Sequence, residues 1–188
     1  ILPGRKTTAS IWVNYDLEQG MFLDPVAPAT EQRNWGNSDG SWRTELGISP
    51  YFTDREYLWH ATAPGSRSDK KLVTSEFVLG QSEFSLSFLS FFQFEARDEE
   101  YSFDGGVIEI SINNAPWLDV LDAGGVFTEG DYNSRIASFS NRRAFGGISN
   151  SDAEMNRFTV NFGTAHAGSS ARIRFRMVSD AGVGDYGW

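Results

Sequence analysis

The chain has 188 residues, 40 % of them hydrophobic and 22 % charged, which suits one globular domain and excludes both a disordered chain and a staple-dependent miniprotein. Sixteen basic against 25 acidic residues give a net charge of -9, a poor match for nucleic acid, and no run of about 18 apolar residues could span a membrane as a helix. The absence of cysteine removes disulfides, thiolate zinc sites and cysteine nucleophiles together.

Nineteen glycines, 14 % aromatics and three methionines favour strands and turns over helices. In chain order, a short strand is expected over 10–15. Residues 21–50 then read as an irregular connection, with Pro25, Pro28 and the polar stretch 34–40. Strands follow at 57–62 and 72–78. The clearest one is 84–94, where Phe84, Leu86, Phe88, Phe92 and Phe94 share a face and Ser90 is its only gap. Over 107–112, Val107, Glu109 and Ser111 oppose Ile108, Ile110 and Ile112, which leaves Glu109 as a solvated outward residue. A shorter strand is expected at 135–139. Phe158, Val160 and Phe162 form one face of 157–162. Over 171–177, Ile173, Phe175 and Met177 point inward and Arg172, Arg174 and Arg176 outward.

Turn clusters punctuate these runs, among them Asp104-Gly105-Gly106, Asn113-Asn114-Ala115-Pro116 and Ala167-Gly168-Ser169. No window shows a helical stripe. The expectation is an all-β fold, a two-sheet antiparallel sandwich, built as one domain over 1–188.

Two catalytic patterns match by letter and fail by context. Gly36-Asn37-Ser38-Asp39-Gly40 spells a nucleophile elbow but lacks the strand before it and the helix after it. Gly182-Val183-Gly184-Asp185-Tyr186-Gly187 spells a dinucleotide fingerprint, and no helix follows its glycines. His60 and His166 share no metal-ligand spacing. Glu109 is the only acid on its strand, whereas glycoside hydrolysis needs a pair of carboxylates. The chain is therefore read as non-catalytic.

Four segments of residues 57–188 carry a family likeness. Trp59-His60-Ala61 leads into Ser68-Asp69-Lys70-Lys71-Leu72. The long strand and Glu95 lead through Phe103-Asp104-Gly105-Gly106 to Val107-Ile108-Glu109-Ile110-Ser111. Phe145-Gly146-Gly147 forms an aromatic and small-residue turn. Arg174-Phe175-Arg176 leads to Ser179-Asp180 and Gly187-Trp188. Together these resemble the jelly-roll modules akin to MAM domains and to the sandwich domain of immune-inhibitor-A peptidases. Phe103 stands where that family has tyrosine, and residues 95–104 carry an insertion.

Glu95, Asp98, Glu99, Glu100 and Asp104 make an oxygen-rich stretch, which on its own is either a solvated acidic turn or part of a calcium site. The resemblance favours calcium (Ca2+), with Asp69 and Asp104 as first ligands and Glu95 as third. The aromatic cluster that includes Trp35, Trp42 and Trp59 is open to two readings. Such rings present stacking platforms to a sugar, or they close one end of the sandwich.

The start at Ile1 reads as a processed or excised fragment. The resemblance implies a secreted or cell-surface binding or adhesion module, with an extracellular glycan or protein as partner. Carbohydrate binding and a structural role in an extracellular assembly are the alternatives. Related modules continue after G-W with an apolar strand. An open sheet edge is therefore expected here, filled by residues 10–15 or by self-association with a second chain.

Overall fold

The computed structural model describes Trp42 and residues 57–149 and 155–188, with backbone alone at 57, 58, 138 and in four earlier strands. Those strands are β1 (Ile11–Asn14), β2 (Met21–Leu23), β3 (Trp35–Gly36) and β4 (Arg43–Leu46). Next come β5 (Tyr57–His60), β6 (Ser68–Thr74), β7 (Phe77–Val78) and β8 (Phe84–Ser90). Then follow β9 (Tyr101–Ser102), β10 (Gly105–Ile112), β11 (Leu118–Asp119) and β12 (Val126–Glu129). The last are β13 (Ser134–Ile136), β14 (Arg142–Ala144), β15 (Asn156–Gly163) and β16 (Ser170–Ser179).

Two sheets dominate. One runs β12-β15-β8-β1-β2 and the other β11-β10-β16-β6-β3, with β7 also beside β16. Neighbours within both are antiparallel. A smaller sheet, β14-β13-β9, includes a parallel pair between β13 and β9. Strand β1 lies along the edge of β8, with Val13 opposite Leu86.

Alternation places the core between the two main sheets. Leu86 and Phe88 on β8 and Phe158, Val160 and Phe162 on β15 are buried, as are Ile173, Phe175 and Met177 on β16. The Phe88 ring meets Phe175 edge-on at 5.2 Å, which joins one sheet to the other. The Ser90 gap has a use. Its hydroxyl accepts a 2.6 Å hydrogen bond from the Trp188 indole, and that ring packs against Phe145 and Phe175.

Four expectations need correction. Residues 21–50 contain strands β2, β3 and β4 rather than a wholly irregular connection. The 135–139 strand stops at Ile136, and a 3-10 turn occupies Ala137–Phe139. Gly105 and Gly106 belong to strand β10, not to a turn. A Cβ on Gly105 would stand 2.4 Å from the Phe145 carbonyl oxygen and one on Gly106 2.4 Å from the Trp188 ring, so glycine serves close packing there. Glu109 is 3 % exposed and not solvated, because Arg142 from β14 covers the outer face of β10.

Candidate metal centre

The ends of three segments meet at one rim of the sandwich. Glu95 follows β8, Asp104 precedes β10, and Asp180 follows β16. One carboxylate oxygen from each lies within 4.8 Å of the others. Oxygens on opposite sides of a calcium ion stand about 4.6–5.2 Å apart, so the spacing fits a single coordination sphere.

Strand register explains the meeting. Gly105 pairs with Val178, so one step further along the ladder brings Asp104 beside Ser179 and Asp180. The Asp180 N–H donates to Asp104 Oδ1 at 2.8 Å. The Glu95 carbonyl accepts from the N–H of Phe103 at 2.9 Å, which folds the 95–104 loop back onto the site. Gly182 N–H donates to Asp180 Oδ1 at 2.6 Å, and Val183 N–H to Glu95 Oε2 at 3.1 Å. A Cβ on Gly182 would lie 2.8 Å from Asp180 Oδ1 and 2.9 Å from Glu95 Oε2. Glycine is what lets the 181–185 loop close over the carboxylates.

The electrostatics are unbalanced. Asp104 has 0 % exposure, and its Oδ2 is buried without a hydrogen-bond partner. A buried carboxylate oxygen left in this state is costly. No lysine or arginine among the described residues makes an ion pair with any of the three acids. Burial first, then the negative charges of Asp180, Glu95 and Asp185, push the Asp104 carboxyl up to about 6. A divalent cation would supply the missing charge and a partner for Oδ2. The three residues can hold a metal ion.

Asp69 is not part of this group, which corrects the expected ligand set. It is the second residue of β6 and pairs with Val178, one register step away from the Asp104 row. Side chains alternate along a strand, so that single step sends it to the other face of the sheet. There Arg176 grips it bidentately at 2.8 and 2.9 Å, and Lys71 Nζ lies 3.0 Å away. Burial raises the Asp69 carboxyl, but these two cations outweigh it and hold the group below its ordinary value. Asp98 Oδ1 is spent on the N–H groups of Glu100 and Tyr101. Asp180 is a candidate ligand that the sequence reading does not include: Ser179-Asp180 enters there only as part of the family likeness, and only the pairing between β10 and β16 shows what Asp180 faces.

The aromatic platform is also corrected in part. Trp42 is 4 % exposed and packs 5.7 Å from Trp188, so it belongs to the core. Trp59 is partly buried against the same core. The Trp35 side chain and the Ser38 motif lie outside the described residues. In the 182–187 stretch, the glycines serve a non-helical loop that bridges back to Ala63 and Gln93. No protein-family model, curated protein or solved structure matches this chain.

Proposed function

We propose that this chain is a calcium-stabilised, non-catalytic binding or adhesion module of a secreted or cell-surface protein. The observation that carries the metal is the convergence of Glu95, Asp104 and Asp180 around a buried, unpartnered carboxylate oxygen. Calcium takes roughly six to eight oxygens in loose geometry, whereas magnesium demands a tight octahedron and keeps its waters. Three carboxylates on separate loops suit the former. The extracellular setting, and an extracellular glycan or protein as partner, rest on the MAM-like motifs, whose setting keeps free calcium high. The non-catalytic reading draws support from Glu109, the acid on β10, which arginines hold as an ion pair.

The ion would tie together three loops that otherwise repel. An ion that binds only the folded state stabilises it by about 2.7 kcal/mol at 100 times its Kd. EDTA is therefore expected to lower the melting temperature by several degrees, calcium to restore it, and magnesium to restore it poorly. Identical melting curves for metal-stripped and calcium-saturated protein would overturn the metal reading.

A further inference from the structure

We propose that Arg172 and Trp117 form a recognition site for the carboxylate or sulfate group of an acidic sugar. The site lies on the outer face of the β11-β10-β16-β6-β3 sheet and does not depend on the metal reading.

The three outward arginines of β16 have unequal neighbours. Arg174 forms an ion pair with Glu109, and Arg176 one with Asp69. Arg172 pairs across the ladder with Ser111, whose hydroxyl donates to the Ala115 carbonyl at 2.7 Å. No carboxylate among the described residues makes an ion pair with Arg172. Its Nε is buried without a hydrogen-bond partner, and its guanidinium carbon stands 5.5 Å from the Trp117 ring centre. Arg174 covers the same ring at 4.5 Å.

The indole face beside it satisfies part of the Arg172 cation, but no carboxylate among the described residues pairs with its terminal N–H fork. A fork held in place loses little freedom on binding an oxyanion bidentately. The turn beneath is braced as well. Asn113 Oδ1 accepts from Ser170 N–H at 2.9 Å, and Asn114 Nδ2 donates to Glu76 Oε2 at 3.1 Å.

The half-buried indole and the exposed Leu118 beside it offer apolar surface to the C–H face of a pyranose, and the exposed Asn114 side chain offers its amide oxygen to a hydroxyl. Overall charge narrows the choice. At -9 the chain repels long polyanions, so one acidic sugar unit suits the site better than a densely charged polymer.

Proton–nitrogen NMR of the arginine Nε and tryptophan indole signals tests this in the intact chain. Galacturonate and glucose 6-sulfate are each titrated at constant ionic strength, with inorganic sulfate and glucose as comparisons. Saturable shifts of the Arg172 and Trp117 signals are expected with an acidic sugar, about tenfold or more weaker with inorganic sulfate, and absent with glucose. Arg172→Gln should abolish saturation, and Arg172→Lys should weaken it about threefold or more by keeping charge without the fork. The wild-type signals alone decide the matter if a variant does not fold. No saturation with either acidic sugar, equal binding of inorganic sulfate, or an unchanged titration in Arg172→Gln would each overturn the proposal.

Discussion

Two acids are buried almost equally in this protein and meet opposite fates. Glu109, 3 % exposed, lies among Arg142, Arg174 and Arg176, while Asp104, at 0 %, lies among Glu95, Asp180 and Asp185. Burial raises both carboxyls. At Glu109 the hydrogen bonds of Arg174 and Arg142 more than reverse the effect, so the group ends below its ordinary value. At Asp104 the neighbours add to it. The Glu109 region is closed within itself: Arg142 also reaches Asp119 Oδ2 at 2.6 Å, and the Tyr132 hydroxyl donates to the same oxygen at 3.2 Å. The Asp104 region is chemically unfinished. Depth of burial therefore does not distinguish a structural ion pair from a ligand site; the sign of the surrounding charge does.

The largest expected effect breaks the closed side of this comparison. Arg142→Ala leaves Glu109 and Asp119 facing each other with less compensation and should cost about 3–5 kcal/mol of unfolding free energy in urea titrations. A loss below about 1 kcal/mol would mean that Arg174 and Arg176 compensate Glu109 without it.

On the unfinished side, Asp104→Asn removes the buried charge. In chelator the variant should be more stable than wild type by about 1–2 kcal/mol, and calcium should no longer raise its melting temperature. A variant that is weaker in chelator would show that the charge is already compensated. Gly182→Ala tests the same site from above. Its Cβ crowds Glu95 and Asp180, so calcium affinity should fall about tenfold by calorimetry while the metal-free melting temperature moves little.

The pH response separates the two regions in metal-free protein. Asp104 is raised to about 6 in the fold, so it binds a proton more readily folded than unfolded. Its contribution to stability is greatest below its ordinary value near 3.8 and is lost as pH rises through about 6. Glu109 runs the other way, adding stability above its ordinary 4.5 and losing it as pH falls through its lower folded value. Melting temperature in chelator should thus rise on acidification from pH 7 to 5 in wild type, and that rise should shrink in Asp104→Asn, where Asp119, raised by burial, still acts in the same direction.

The smallest effect belongs to Asp69. Its ion pairs with Arg176 and Lys71 are partly exposed, so Asp69→Asn should cost less than about 1 kcal/mol and leave the calcium response intact. A lost calcium response would return Asp69 to the ligand set.

Local sequence determined which residues alternate, and therefore which faces enter the core. The inward rows of β8, β15 and β16 were legible because side chains project to opposite sides at every step, and nothing distant alters that. Glu95 and Asp104 were visible as acids flanking the 84–94 and 107–112 runs, although β8 itself ends at Ser90. Pairing between strands decided the rest. Asp180 joined them because the β10–β16 pairing brings the residue just past the end of β16 against Asp104, and Asp69 left because one register step on β16 separates two faces of a sheet. Glu109 became an interior group because β14 folded over β10, and Gly106 became a packing position because Trp188 came to rest on it. Periodicity is a property of one strand, whereas ligand sets, ion pairs and close approaches belong to chain segments that meet only in the folded protein.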